Sequence, residues 1–108
     1  MKIKIYQINM DRDTNGICFM SWRYLQKQGL VGRDADGLRG VIGKEIYDMV
    51  YEVESDTCDL ERIYTRFSTR LPEDFRGRSL SCSDIVETPA GLYFCDSVGW
   101  VPVRWGLD

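Results

Sequence analysis

The sequence predicts an α+β domain: a mainly antiparallel sheet with one principal helix, at about residues 59–70, packed on it and a short second helix. Three observations lead there. Runs of strand character recur at KIKIYQIN (2–9), IYDMVYEV (46–53) and LYFC (92–95), each bounded by turn residues. From Leu60 the apolar residues fall at Ile63, Tyr64, Phe67 and Leu71, the spacing of a helix that buries one face. The resulting order is strand, strand, short helix, loop, strand, helix, strand, strand, strand. That is not the strict alternation of a parallel α/β sheet.

Residues 2–9 alternate with period two. Ile3, Ile5 and Gln7 share one face and Lys2, Lys4, Tyr6 and Ile8 the other, which suits an edge or next-to-edge strand. Asn15-Gly16 is a hairpin signal, so Ile17–Met20 is expected to return as the second strand. Ser21 is placed to cap a short helix through Trp22, Tyr24 and Leu25 that ends at Gly29. Five of the ten glycines lie in 29–43, which predicts a mobile loop. Gly43-Lys44 is no phosphate loop, because that motif needs glycine where Leu38 stands and Ser or Thr where Glu45 stands.

Asp56 is placed to cap the principal helix, with Asp59 three residues on, and Pro72 ends it. The central stretch PEDFRGRSLSCSDIVETPAGLYFCDSVGW (72–100) follows. It comprises a loop, a serine-rich turn at 79–84, the short apolar run Ile85-Val86, a Pro89-Ala90-Gly91 turn, and Leu92–Cys95, apolar on both faces as in a central strand. In the last run, Val101–Trp105, Pro102 predicts a sheet edge.

At 108 residues the chain is expected to form one domain, 1–108. With 44% hydrophobic and 12% aromatic residues it is no disordered chain. A net charge of −3 is too balanced for a generic DNA binder and too mild for a polyanionic DNA mimic. There is no histidine, and Cys18, Cys58, Cys82 and Cys95 form no CxxC pair, so no zinc site, other metal or cofactor is implied. Cys82 and Cys95 sit in apolar runs and are expected to be buried and reduced. No signal peptide is expected, and no apolar run reaches the length of a membrane span, so a reducing cytoplasm fits.

Two clusters resemble chemistry. Ser79, Ser81, Ser83 and Asp84 suggest a nucleophile, but a serine needs an adjacent base. Without histidine, only distant lysines or a carboxylate remain. A turn whose hydroxyls and carboxylate bond backbone N–H groups is the preferred reading. Asp84, Glu87 and Asp96 suggest a Mg²⁺ or acid/base pair; structural roles are preferred here too, so no catalytic residue is assigned. The best partner-binding candidates are Arg62, Arg66 and Arg70, four apart on one helix flank, extended by Arg76 and Arg78. Like charges at that spacing cost about 0.2–0.5 kcal/mol each. Nearby Asp59, Glu73 and Asp74 offset that cost locally, and an acidic partner or nucleic-acid backbone offsets it externally.

The segments KIKIYQINMDRDT, IYDMVYEVE, DLERIYTRF, PEDFRGRSLSCSDIVET and LYFCDSVGW resemble the YodL-like domain family, and together they span nearly the whole chain apart from the glycine-rich 29–43. The resemblance implies a fold signature with no established catalytic set: Gly77 and Gly99 for turns, Leu80, Ile85 and Phe94 for core, and Ser83 and Asp84 for backbone bonding, with Ser79 and Asp96 in the same motif. It implies a setting in Gram-positive bacteria and their conjugative elements and phages, similar to that of counter-defence proteins. The expected function is a non-enzymatic accessory protein that binds and inhibits a host restriction or CRISPR-type nuclease or its nucleic-acid complex. The alternatives are a nucleic-acid-binding accessory factor, and a small metal-dependent nuclease or hydrolase. A homo-oligomer is compatible with either binding function.

Overall fold

A computed structural model describes residues 1–35 and 37–106. Its nine elements are β1 (Lys2–Ile8), α1 (Trp22–Lys27), β2 (Gly32–Arg33), β3 (Gly40–Ile42), β4 (Tyr47–Glu54), α2 (Leu60–Thr69), β5 (Ile85–Thr88), β6 (Gly91–Cys95) and β7 (Trp100–Trp105). The strands form one seven-stranded sheet in the order β2-β3-β7-β6-β5-β1-β4. Every pairing is antiparallel except that of β3 with β7. The domain is therefore α+β with a mainly antiparallel sheet and two helices.

The helices lie on opposite faces of the sheet. Side chains of a strand alternate between faces, and β1 shows the division directly. Ile3 and Ile5 pack in one cluster with Ile63 and Phe67 of α2. Tyr6 and Ile8 pack in another with Trp22 and Leu25 of α1. In β5, Val86 joins the α2 cluster and Ile85 the α1 cluster. Both faces of these strands are apolar because both are covered, as β6, buried at Phe94 and Cys95 between β5 and β7, also shows.

β4 meets both clusters through a bulge. Ile5 pairs with Tyr51, yet Tyr6 pairs with Met49, leaving Val50 as the extra residue. In an unbroken strand Tyr47, Tyr51 and Val53 would share one face. The bulge instead sends Tyr47 to the α1 cluster, while Tyr51 and Val53 pack on the α2 side. There the Tyr47 hydroxyl donates to the Ser83 carbonyl at 2.7 Å.

Four expectations are corrected. Ile17–Met20 is not a strand. Both flanks of β1 are occupied, by β4 and β5. The amides a hairpin would use go elsewhere: Ile17 and Cys18 N–H to the Asp13 carboxylate at 3.0 and 2.9 Å, and Phe19 N–H to Ser83 Oγ at 2.9 Å. The α2 cap is Asp59, which accepts from Glu61 and Arg62 N–H, and Asp56 stays outside the helix. The glycine-rich 29–43 is more than a loop, since β2 and β3 extend the sheet from it; Asp36 lies outside the described residues, as do positions 107 and 108. β7 is interior, not an edge. Its proline is accommodated because β3 pairs only with Val103, Arg104 and Trp105, so Pro102 stands outside that ladder.

α1 and its Ser21 cap are found as expected, with Ser21 Oγ accepting from Tyr24 N–H. Lys44 lies over the Tyr6 and Trp105 rings, at 6.0 and 5.7 Å from their centroids. All four cysteines are free; Cys18 and Cys95 are buried, Cys82 only half-buried, and Cys58 exposed. Among the described residues no helix is long and apolar enough to cross a membrane, and no group of three or more His, Cys, Asp or Glu residues is arranged to hold a metal ion.

Tyr47→Phe removes the donor to the buried Ser83 carbonyl while keeping the ring. It should cost about 1–3 kcal/mol of stability. Chemical denaturation with an unchanged m-value would show that cost, and no loss would exclude the bond as a link between β4 and the serine-rich turn.

Candidate functional site

The arginine face is built on α2. Asp59 accepts two free N–H groups of its first turn, and Glu61 there complements the helix dipole. Ile63 and Phe67 turn into the sheet, which leaves Arg62 and Arg66 on the solvent side. Arg70 is the C-cap residue, its N–H still donating to the Arg66 carbonyl, and it is exposed as well. The three arginines line one open groove of about 540 Å³ with Glu61, Thr65 and Thr69. The ion pairs among the described residues are Met1–Glu54, Lys2–Glu52, Arg12–Asp48, Arg78–Asp84 and Arg104–Asp34. None uses Arg62, Arg66, Arg70 or Arg76, and Asp59 is occupied in capping.

Arg76 and Arg78 do not extend this groove. Arg76 is exposed beside β4, in a recess shared with Asp74, and its N–H donates to the carbonyl of the bulged Val50. Arg78 turns inward. Its guanidinium donates to the Ile8 carbonyl and to Cys18 Sγ, lies 4.9 Å from the Phe19 ring centroid, and approaches Asp84 Oδ1 at 3.5 Å.

The serine-rich turn is organised around Asp84, whose side chain is fully buried. Its Oδ2 accepts from Ser81 N–H at 2.8 Å and from Gln7 Nε2 at 3.0 Å. Gln7 also donates to the Arg78 carbonyl and accepts from Arg78 N–H, so one carboxamide ties β1 to both ends of the turn. Asp84 Oδ1 and Arg78 Nε are buried without hydrogen bonds. Burial pushes the Asp84 carboxyl up to about 7, against the lowering influence of the Ser81 N–H, Arg78 and Gln7. Ser83 is also fully buried and has φ +81°; its Oγ receives the N–H of Phe19, which has φ +72°. Among the described residues these two are the non-glycine residues in the left-handed region, and the bond between them holds that strain in place.

The remaining motif residues have local tasks. Asp96 accepts from Trp22 and Ser97 N–H, fastening α1 to the β6–β7 turn, where Gly99 has φ +76°. Leu80 is buried in the α2 cluster, and the Ser79 carbonyl receives the Ser81 hydroxyl. Glu87 accepts from the Tyr6 hydroxyl at 2.7 Å. Gly77 serves a close approach: a Cβ there would run into the Gln7 carboxamide. Gln7 and Tyr47 are the site residues the sequence did not single out. A glutamine on the apolar side of an alternating strand was the one available signal for Gln7.

Two outcomes follow. Between the ordinary carboxyl value near 3.8 and about 7, the folded state holds a proton on Asp84 that the unfolded chain has released. Stability should therefore fall across that window as pH rises, by up to about 1.4 kcal/mol per unit, and level off above it. Asp84→Asn should flatten this slope, whereas Asp84→Ala should lose about 1–3 kcal/mol by stranding Gln7 and the Ser81 N–H. Denaturation of the three proteins at several pH values tests it, and parallel wild-type and Asn profiles would refute it. Gly77→Ala should displace Gln7 and cost about 1–3 kcal/mol; in a Gln7→Ala background the same methyl should cost less, with only the Val50 side chain still close to it, and a double-mutant cycle measures the difference.

Comparison with known proteins adds one finding. A family model described as the YodL-like domain matches residues 2–105. No curated protein and no solved structure matches the chain. The matched span runs from the first residue of β1 to the last of β7 and takes in the Gln7–Arg78–Asp84 network, so the chain belongs to the YodL-like domain family.

Proposed function

We propose that this protein is a non-enzymatic accessory protein of a mobile genetic element, acting in the cytoplasm by binding and inhibiting a host defence nuclease of restriction or CRISPR type. The observation that carries the proposal is the cationic face of α2: Arg62, Arg66 and Arg70 line one groove, and none forms an ion pair among the described residues. Their mutual repulsion is modest, and an anionic partner surface relieves it. The chain as a whole carries a net charge of −3, so its remaining surface repels bare nucleic acid. A protein target, or a nuclease already holding its guide or DNA, satisfies both conditions. The setting of YodL-like domains in conjugative elements and phages supports the choice of target class. A catalytic reading is disfavoured because Ser83, Asp84, Glu87 and Asp96 each hold a structural partner.

Expression in a bacterium should protect an incoming plasmid from at least one defence system. Replacing Arg62, Arg66 and Arg70 together by Glu should remove protection while leaving the melting temperature within a few degrees. Transformation efficiency against a panel of restriction and CRISPR systems measures this. Absence of protection throughout the panel would overturn the proposal, and protection that survives the triple replacement would move the contact surface away from α2.

A further inference from the structure

We propose that the exposed face of α2 is a seat for one acidic helix of a protein partner. This rests on the preceding assignment of the arginine face as the contact surface and names what it contacts.

Two columns run along that face. Arg62 and Arg66, continued by Arg70 at the C-cap, form one; Glu61, Thr65 and Thr69 form the other. Positions four apart on a helix are separated by about 6 Å along the axis. The second column offers few donors, because its hydroxyls are turned inward. Thr65 Oγ1 donates to the Glu61 carbonyl at 3.0 Å and Thr69 Oγ1 to the Thr65 carbonyl at 2.6 Å. With those hydroxyls bonded to the backbone, the threonines offer their methyl groups to the groove floor between the arginine stems, and the Arg66 guanidinium lies 5.5 Å from the Phe67 ring centroid. Such a low floor lets a second helix approach to the usual interaxial distance of about 8–10 Å.

Charge decides between a helix and a nucleic-acid strand. Glu61 stands at the N-terminal end of the groove. Glu54 and Asp56 share the adjoining recess with Arg62 and Arg66 and form no ion pair with them. A run of phosphates longer than the stripe would meet these carboxylates and be repelled. A helix bearing Asp or Glu at i, i+4 and i+8 repeats its charge at the same 6 Å as the arginines and turns its other faces away from those carboxylates. Glu61 favours a cation at one end of that helix. Cations are favoured in a last turn, so the partner runs antiparallel to α2.

The test is a titration of the isotope-labelled full chain, following arginine Nε and α2 amide signals. The probe is an alanine-rich helical peptide of about 20 residues with Glu at i, i+4 and i+8 and Lys near its C-terminus. A second peptide has the same composition with the acids spread around the helix, and a single-stranded oligonucleotide is the third probe. The in-register peptide should shift Arg62, Arg66 and Arg70 saturably and bind at least about tenfold more tightly than either other probe. Thr65→Trp keeps every charge but fills the floor, and should weaken that binding about tenfold or more. Equal binding of the two peptides, indifference to Thr65→Trp, or tighter binding of the oligonucleotide would overturn the proposal. Because these titrations use purified protein, their failure is separable from a failure of plasmid protection in cells.

Discussion

Asp84 imposes the constraint on which the rest of the structure depends. A carboxylate without solvent exposure must be surrounded by donors or give up its charge. Ser81 N–H, Gln7 and Arg78 are gathered to meet that requirement, one from distant sequence and two from the segment that leads into Asp84. Gln7 is in β1, Arg78 lies on the approach to the serine-rich turn, and Ser81 lies within it. Meeting the needs of one carboxyl therefore fixes how residues 77–84 enter the sheet beside β1. Gly77 has no side chain because the Gln7 carboxamide occupies that space. The raised proton affinity of Asp84 is the residue of a conflict that these partners reduce without removing.

The second organising feature is the bulge at Val50. β4 is the outer strand on its side of the sheet, yet it packs against both layers because the extra residue inverts its alternation partway along. Tyr47 is delivered to Ser83 on one side, while Tyr51 reaches the Phe67 and Phe75 rings, at centroid separations of 5.7 and 5.2 Å, on the other. The bulge and the acidic side chains of Asp48, Glu52 and Glu54 also make this outer edge a poor template for pairing with further strands.

Ion pairs take up part of the surface charge. Lys2 pairs with Glu52, and Lys4 stands across from Glu52 and Glu87, so the lysines of β1 are matched by acids on neighbouring strands. Arg12 is matched by Asp48, and Arg78 is drawn inside toward Asp84. Arg62, Arg66 and Arg70 of α2 form no such pair among the described residues, and the Arg66 guanidinium lies 5.5 Å from the Phe67 ring centroid. The helix around them is capped by Asp59, and the Thr65 and Thr69 hydroxyls donate to carbonyls one turn back.

Periodicity determined a large share of the fold. The period-two pattern of β1, the 3.6-residue pattern of α2 and the doubly apolar run of β6 each report burial through local spacing alone, and the elements stand where that spacing put them. The arginine stripe was legible for the same reason, since a regular helix converts positions 62 and 66 directly into neighbours. Partner choice was decided only by the tertiary structure. Asn15-Gly16 is a competent hairpin turn, but β1 had two better partners from distant sequence, and Asp13 and Ser83 took the amides that a hairpin would have used. Arg78 carries the same charge as Arg70, yet a buried carboxylate fifteen positions from α2 drew it inward. The bulge at Val50, the interior place of Pro102 and the role of Gln7 all depend on which strand lies alongside. Local sequence records a residue's own preference, and it does not record the neighbour that satisfies it.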